Sequence, residues 1–506
     1  MRDVKGRVLC SALFFHRSSD ANPMHINPSI RSRIFRLGVF VLVPAGILPA
    51  QKIREMQFAG RVNEAAMLRT VRTLVGFGNR LGGSPSGHRA AEYVRKQLSV
   101  TGLSVTVAED PERLVYVNKS WELRVEYPRR LRSLVRHEWL SGFSPSSTKR
   151  TAPLRFLGEE GKGEVRYDSS VVLTDEFVNE ERYHALVQLG AVCILSYGPG
   201  DSTMYRQSAM ITELATSTEN PIPMFNISYS NGRKLRDELA RKTKITMRFS
   251  SATTISPGRS RTILATLKGK SDKYFIVCAH GDSDSGGPGA DDNASGVAGV
   301  LELGRILSAM VKEKKIPIPE YTILFTVWGS EYSSSGAFVR SRKDELGNIL
   351  GVLNYDQIGT GAIRNCVYFE SNDVAHNEDL MKILQSVGED YAGKRGFWDE
   401  STTNPSQGGT DSYVFLPEYL RHLGVSNTEI PSATVYTAAW NAPKTLAQTL
   451  GWTSKAWKGR GDSVTIDFSH YYHSSRDIPE NTTEREPFNM SSAVKAVGIA
   501  LLRLAW

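Results

Sequence analysis

The amino-acid sequence predicts an α/β fold whose central sheet is mixed, mostly parallel and flanked by helices, with a β-rich inserted domain. The apolar segment 274–279 has the composition of a buried parallel strand. Strand-like and helical segments alternate from residue 261 onward, as they do in α/β domains. Between about residues 118 and 255 the pattern changes to short β-like segments separated by turns. The chain has 506 residues, which exceeds the size that a single hydrophobic core usually organises, so we expect two units.

The first 50 residues have the layout of an export signal. Arginines at positions 31, 33 and 36 precede the apolar segment 37–48 and the small residue Ala50, an order typical of secretory signals. We therefore expect residues 1–50 to be a leader, with translation starting at Met24 and cleavage near Ala50. The mature protein would then be exported, to the periplasm or the medium. An uncleaved signal anchor is the alternative, although the apolar segment is short for a membrane span.

The charge distribution argues against a nucleic-acid partner, and the cysteine content argues against a disulfide framework. Residues 1–50 carry seven Lys or Arg and two Asp or Glu, so their removal lowers the formal net charge from +9 to about +4. The remaining basic clusters lack interleaved aromatic residues, and we expect no nucleic-acid partner. Cys193, Cys278 and Cys366 are too few for a disulfide framework. The first two lie in apolar strand-like segments, where buried thiols are expected.

Periodicity places helices and strands along the chain. Residues 62–102 predict two helices separated by the Gly-Gly-Ser-Pro sequence at 82–85, because apolar residues recur at helical spacing on either side. The inserted region predicts four strands and one helix, and the region after residue 261 predicts three strands and one helix. The predicted strands are 170–174, 192–196, 224–227, 245–249, 274–279, 321–326 and 351–355, and the helices of these two regions are near 181–189 and at 295–310.

These patterns divide the chain into three parts. Residues 1–50 form the leader, residues 60–118 and 256–506 together form the α/β domain, and residues 119–255 form an insertion. From its position in the chain, we expect the insertion to act as a lid over the α/β domain.

Candidate metal ligands occur at the ends of the predicted strands and nearby. The segment 274–279 leads directly into a histidine, two later strands each lead into an acidic residue, and another aspartate stands where the helix 295–310 begins. Histidine and carboxylate side chains suit zinc, and a carboxylate shared by two ions holds them about 3.5–4 Å apart. Each residue alone has an ordinary structural explanation, such as a helix cap or a turn. Including a second histidine late in the chain, the candidate ligands are His280, Asp292, Glu331, Asp356 and His473.

The chain resembles peptidase family M28, the zinc peptidases that include secreted bacterial aminopeptidases, glutamate carboxypeptidase and the transferrin receptor. The resemblance covers most of residues 60–506. Segments 79–84 and 90–94 resemble the opening helices of the family. Residues 119–255 resemble the protease-associated domain of many members, through the segments 189–192 and 221–224. The segments that match around the predicted site are Ala279-His280-Gly281-Asp282-Ser283, Pro288 to Gly296, Trp328-Gly329-Ser330-Glu331, Leu353-Asn354-Tyr355-Asp356, Gly409-Thr410-Asp411 and Tyr472-His473.

The resemblance implies a zinc exopeptidase-like fold with two zinc ions per chain, or one if a ligand is lost. One ion would take His280 and Asp356, and the other would take His473 and a glutamate, with Asp292 bridging the two. Asp282 would orient His280 from behind. A glutamate would act as the general base that removes a proton from the attacking water.

The sequence departs from the family pattern at the predicted base. Active members carry two adjacent glutamates, a base and then a ligand, where this chain has Glu331-Tyr332. Counting from Trp328 makes Glu331 the base and leaves Tyr332 in the ligand position. Counting back from Gly336 makes Glu331 the ligand and leaves a serine in the position of the base. Both registers stay open, and a second departure is Ser412, where related sequences often have histidine.

The resemblance favours an exported zinc exopeptidase, most often an aminopeptidase, acting on peptide substrates. A carboxypeptidase of the same family is the nearer alternative. A catalytically impaired relative that serves as a binding or scaffold module is the second alternative, because of the Glu331-Tyr332 pair. A second copy of the chain, in a homodimer, is among the expected partners. Stable membrane insertion after signal cleavage is not expected.

Overall fold

The computed structural model describes residues 47–135, 139–158, 166–175, 178, 180–197, 219–283, 287–360, 365–371, 377–405, 410–425, 430–437 and 476–506. Contacts divide the chain into residues 1–48 and 49–506, and the architecture below is that of the second unit. Most of the predicted leader, up to residue 46, and the predicted ligand His473 lie outside the described residues.

Fifteen strands are present in the described part of the chain. They are β1 Ser104–Glu109, β2 Arg113–Tyr127, β3 Trp139–Leu140, β4 Ser147–Phe156, β5 Ser170–Thr174, β6 Ala191–Ser196, β7 Met224–Asn226, β8 Thr246–Gly258, β9 Arg261–Leu267, β10 Ser271–His280, β11 Tyr321–Trp328, β12 Ile349–Tyr355, β13 Cys366–Ser371, β14 Glu400–Pro405 and β15 Ser432–Tyr436.

Ten α-helices accompany them within the same described ranges. They are α1 Ile47–Ala59, α2 Glu64–Val75, α3 Pro85–Ser99, α4 Glu180–Gln188, α5 Tyr229–Ala240, α6 Gly296–Lys312, α7 Ser333–Ser341, α8 Glu378–Tyr391, α9 Pro417–His422 and α10 Phe488–Leu504.

The larger sheet has eight strands in the order β1-β9-β11-β10-β12-β15-β13-β14. The four neighbouring strands β11, β10, β12 and β15 all run parallel, so their carboxyl ends meet at one edge of the sheet. The pair β13–β14 is parallel as well. The pairs β1–β9, β9–β11 and β13–β15 are antiparallel. The sheet is therefore mixed and mostly parallel, as predicted.

Helices bury the apolar surface of this sheet. Ile276, Val277 and Cys278 of β10 are fully buried, as expected for a central parallel strand with both faces covered. Helix α6 is buried along most of its length, and its apolar residues join those of α2, α3 and α10 in one core. The segment Ala290–Lys312 is long and apolar enough to cross a membrane, but most of it lies inside this core.

The smaller sheet has seven strands in the order β2-β8-β4-β5-β6-β7-β3. All of its strands come from residues 113–258. Long antiparallel pairing joins β2 to β8, from Arg113 opposite Gly258 to Tyr127 opposite Thr246. Separate apolar clusters pack against this sheet, with Val125, Met247 and Phe249 at the centre of one of them.

The predicted helices and strands agree with the observed ones. Helices α2 and α3 occupy the region predicted for two helices, and β5, β6, β7, β10, β11 and β12 coincide with predicted strands within a few residues. Cys193 and Cys278 are fully buried, as predicted. The prediction did not include the long strand β2, in which buried and exposed residues do not alternate regularly, or the C-terminal helix α10.

Close packing between α1 and α10 gives a test of the fold. A Cβ atom added at Gly498 would lie 1.9 Å from the ring of Phe58, which is fully buried. We expect Gly498→Ala to lower the free energy of unfolding by about 1–3 kcal/mol, the usual cost of overpacking. Urea denaturation measures this change. Gly347→Ala is the control, since nothing lies within 4 Å of that Cβ position, and equal midpoints for the two variants would contradict the packing.

Candidate metal centre

His280 is the last residue of β10, at the edge where the parallel strands end, and it is 1% exposed. Its Nδ1 atom lies 3.1 Å from the backbone oxygen of Asp282 and 3.2 Å from Asp282 Oδ1. Its Nε2 atom lies 3.2 Å from Asp292 Oδ1 and 3.7 Å from Asp356 Oδ1. Because oxygen acceptors face Nδ1, the neutral ring holds its proton there, and the Nε2 lone pair faces the other two carboxylates.

Asp292 lies in the turn Ala290–Ser295, which leads into α6. Gly289, just before the turn, has a φ of 59°, and a Cβ there would lie 2.2 Å from the Asp292 carbonyl oxygen. Only glycine fits this conformation without strain. The backbone N–H groups of Asp291 and Asp292 donate to the two carboxylate oxygens of Asp477, at 2.8 and 3.0 Å. These contacts fix the backbone from which the Asp292 side chain reaches the imidazole.

Asp356 follows β12 directly, and its backbone N–H donates to the Val435 carbonyl of β15 at 3.2 Å. The side chain is 4% exposed, and its Oδ1 has no hydrogen-bond partner among the described residues. Ligand atoms of His280, Asp292 and Asp356 all lie within 4.8 Å of one another. A buried carboxylate oxygen without a donor costs free energy, and a cation held beside it removes that cost.

The Asp282 carboxylate connects His280 to the turn that carries Glu331. Its Oδ1 faces His280 Nδ1 and also accepts the backbone N–H of Glu331 at 3.0 Å. Burial alone would raise the pKa of Asp282, but the hydrogen bond from His280 and the nearby positive charges hold that pKa below its usual value. Asp282 therefore stays ionised and orients the imidazole.

The turn after β11 presents Glu331 and Tyr332. Tyr332 has a φ of 52°, and its N–H donates to Asp411 Oδ1 at 2.9 Å. Its ring packs against an apolar cluster that includes Trp328 and Phe338. Burial, together with the charge of Glu331 and other carboxylates, raises the pKa of the Tyr332 phenol far above its ordinary value. The tyrosine therefore stays neutral, unlike the glutamate that the family resemblance places at this position when the register is counted from Trp328.

Negative charge dominates the centre. Burial lowers the pKa of His280, but the carboxylates of Glu331, Asp282, Asp292 and Asp356 outweigh this effect and raise it well above the usual value. Burial raises the pKa of Glu331 well above its usual value, and the neighbouring aspartates add to this rise, although His280 opposes it. Without a metal, protons compensate the clustered carboxylates, and a bound cation would replace those protons.

The donor set fits zinc. One imidazole nitrogen and carboxylate oxygens, buried and gathered at one edge of the sheet, are ligands that Zn²⁺ binds in hydrolytic enzymes. Oδ1 of Asp356 has no hydrogen-bond partner in the described part of the chain, and a bound cation would satisfy it.

Residues 262–497 match the model of Peptidase family M28. The chain is 24% identical over 321 residues to an aminopeptidase of Pseudomonas aeruginosa, with 58% of this chain and 56% of the relative aligned. It is 28% identical over 299 residues to a probable lipoprotein aminopeptidase, LpqL, of Mycobacterium tuberculosis, with 56% and 55% aligned. The chain thus spans about half the length of these curated relatives.

Solved structures show the same fold. The structure of BSAP, a zinc aminopeptidase from Bacillus subtilis, matches with a TM-score of 0.56 over 88% of this chain and 95% of that chain, at 17% identity. The similarity confirms the expected zinc exopeptidase-like α/β architecture.

The structure brings together most of the residues that the sequence singled out. Three candidate ligands, His280, Asp292 and Asp356, meet at the sheet edge, with Asp282 behind the histidine. Glu331 lies in the adjacent turn, so its role as base or ligand stays a prediction. His473 lies outside the described residues.

Sequence analysis assigned no role to three polar residues that shape the centre. Asp477 binds the backbone of the Asp292 turn, and Asp411 binds that of Tyr332. Asp110 accepts hydroxyl groups beneath the Glu331 turn, including Ser260 Oγ at 2.7 Å. Asp411 and Asp477 stood inside or next to recognised motifs, whereas Asp110 follows a strand with no motif around it.

The buried carboxyl group of Asp411 makes the stability of the protein depend on pH. It is fully buried, its Oδ1 accepts Ser335 Oγ at 2.6 Å, and its Oδ2 has no hydrogen-bond partner within the described ranges. Burial raises the pKa of Asp411 to about 7, although His280 and the hydrogen bonds oppose this rise. Since the folded-state pKa is raised, the neutral acid favours folding at low pH, and that stability is lost as the pH rises from about 4 to about 7.

We therefore expect metal-free Asp411→Asn to lose less stability across pH 4–7 than the metal-free wild type. Urea unfolding at a series of pH values, in the presence of a chelator, measures the difference. Asp379→Asn, at a fully exposed position, serves as the control and should follow the wild-type profile. Parallel profiles for Asp411→Asn and the wild type would contradict the assignment.

Proposed function

We propose that this protein is an exported zinc exopeptidase, and more specifically an aminopeptidase that removes N-terminal residues from peptides. The observation that carries the proposal is the buried cluster of His280, Asp292 and Asp356 at the carboxyl ends of parallel strands. The match of residues 262–497 to the model of Peptidase family M28 and the similarity to aminopeptidases support the same reaction class.

Two zinc ions per chain are the expected cofactors, with one ion as the alternative. We propose that His280, Asp292 and Asp356 would hold the first ion, and that Asp292, His473 and, in the register that makes it the ligand, Glu331 would hold the second. Zinc bound there would lower the pKa of a bound water and polarise the peptide carbonyl.

The protein groups around the proposed ions have separate tasks. Asp282 keeps the proton of His280 on Nδ1, which leaves Nε2 as the ligand atom. In the register counted from Trp328, Glu331 is the proposed general base, which would accept the proton of the attacking water and then give it to the leaving amine. The raised pKa of the Glu331 carboxyl in the metal-free protein is of the kind that general bases in enzymes show.

Two alternatives from the sequence remain. A carboxypeptidase of the same family would use the same metal site and differ in the group that anchors the substrate terminus. A catalytically impaired binding or scaffold module would keep the fold and lose turnover, since the Glu331-Tyr332 pair has one carboxylate where the family resemblance implies two. The retention of a buried, carboxylate-rich centre supports the enzyme over the scaffold.

The domain organisation and export are part of the proposal. We propose residues 119–255 as a protease-associated-like insertion, which the separate sheet of strands from residues 113–258 supports. We further propose that residues 1–50 direct export. The similarity to a relative named as a lipoprotein aminopeptidase supports a location outside the cytoplasm.

Peptide hydrolysis tests the function directly. Purified protein lacking residues 1–50 is incubated with zinc and a mixed pool of short peptides, each free or N-acetylated. We expect loss of N-terminal residues from the free peptides only, and we expect a chelator to abolish it. Loss of C-terminal residues would identify the carboxypeptidase, and no cleavage by folded, zinc-loaded protein would favour the binding module.

Tyr332→Glu distinguishes the two registers of the Glu331-Tyr332 pair. If Glu331 is the base, the new carboxylate should restore the missing ligand and increase zinc occupancy and kcat/KM, because general bases and ligands would both be present. Zinc content by mass spectrometry and kinetics on a free peptide measure the two effects. Tyr332→Gln is the control, because glutamine has nearly the same size as glutamate but is neutral. No gain for Tyr332→Glu over Tyr332→Gln would favour Glu331 as the ligand.

A further inference from the structure

Arg80 is a fully buried arginine next to the candidate metal centre, and none of the roles assigned above includes it. Its guanidinium group donates to three backbone carbonyls of the segment between His280 and Asp292. Nε donates to Gly281 at 3.1 Å, Nη2 donates to Gly289 at 2.9 Å, and Nη1 donates to Pro288. One side chain thus binds both ends of the segment that separates two candidate ligands.

Neighbouring groups reinforce this contact. The backbone N–H of Arg80 donates to Ser283 Oγ at 2.9 Å. The same hydroxyl lies 2.8 Å from the Gly287 carbonyl and 3.2 Å from Asn79 Oδ1, so it can donate to either. The Ser283 hydroxyl therefore links two parts of the chain. It contacts Asn79 and Arg80, which precede α3, and it also contacts Gly287.

The same stretch of chain also contacts the Glu331 turn. A Cβ added at Gly82 would lie 2.3 Å from the Gly329 carbonyl oxygen and 3.0 Å from the Ser330 Cβ. The backbone at Gly82 therefore packs directly on the two residues that precede Glu331. Residues 79–83, which we call the bracket, contact the loops that carry the histidine, the bridging aspartate and the glutamate.

Charge explains why an arginine occupies this place. The carboxylates of Asp477, Asp282 and Asp292 attract the buried guanidinium. Burial lowers the pKa of Arg80 to about 10, so the group remains protonated at neutral pH. Its positive charge partly offsets the carboxylates, and its planar donors match several carbonyls at once, which a lysine ammonium does not.

We propose that Arg80 is a positioning residue that holds His280 and Asp292 at their metal-binding separation before the metal arrives. The proposal rests on the proposed zinc site. Without the bracket, zinc binding has to fix the backbone of Gly281, Pro288 and Gly289 as well, and the affinity falls. Loss of an outer partner of a metal ligand usually costs about 10–100-fold in affinity, and we expect a loss of about tenfold.

Arg80→Lys, which keeps the charge but loses the planar set of donors, is the test variant. Zinc affinity is measured on the metal-free protein by competition with a chromogenic chelator, together with thermal unfolding. We expect weaker zinc binding by Arg80→Lys and, at saturating zinc, a smaller loss of kcat/KM than at limiting zinc. Binding within twofold of the wild type would overturn the proposal.

Two further variants separate positioning from general destabilisation. Arg503→Lys is the matched control, because Arg503 is a largely buried arginine paired with Glu55 at 2.8 Å, away from the centre. It should lower the unfolding temperature and leave zinc affinity unchanged. If Arg80→Lys does not fold, Ser283→Ala takes its place, and zinc affinity equal to the wild type would again overturn the inference. Absence of zinc binding in the wild type would instead refute the proposed zinc site.

Discussion

The candidate metal centre requires the fold to hold several negatively charged carboxylates close together. Parallel strands end at one edge of the larger sheet, and this edge brings Asp292, Asp356 and Glu331 around the buried imidazole of His280. Carboxylates gathered in a buried site repel one another and lose solvation, so the arrangement costs free energy in the absence of a cation. The surrounding fold has to supply that free energy through packing and hydrogen bonds. Metal affinity and the stability of the metal-free protein are thus coupled properties of the same cluster.

Hydrogen bonds to the aspartates behind the cluster offset part of the free energy that the clustered carboxylates cost. Asp477 receives two backbone N–H groups, and Asp291 receives those of Gly359 and Thr360 at 2.8 and 3.1 Å. Asp110 receives hydroxyl groups of serine and threonine side chains. Burial raises the pKa of all three carboxyl groups, and the hydrogen bonds that they accept oppose this rise. A network of aspartates bound to backbone groups therefore fixes the ligand loops, with Arg80 as the buried cation that binds the loop between His280 and Asp292.

Sequence analysis predicted the architecture and much of the site because both depend on local patterns. The apolar strand before His280 and the helix after Asp292 carry their own periodicity, and the order of parallel strands brings their ends together. The groups behind the ligands were not predicted as such, because Asp110 contacts Ser260 and Ser334 from distant parts of the sequence. The register of Glu331 also stays open. A shift of one residue in the turn decides whether Glu331 takes the position of the base or that of the ligand.

The pairing of β2 with β8 has a consequence for protein engineering. The chain enters the smaller sheet through β2 and leaves it through β8, and Arg113 lies opposite Gly258 in the ladder. The two crossing points are therefore neighbours, about 5 Å apart as in any antiparallel pair. A short turn can join them, so the smaller sheet can be excised, or another domain grafted in its place, without rethreading the larger sheet.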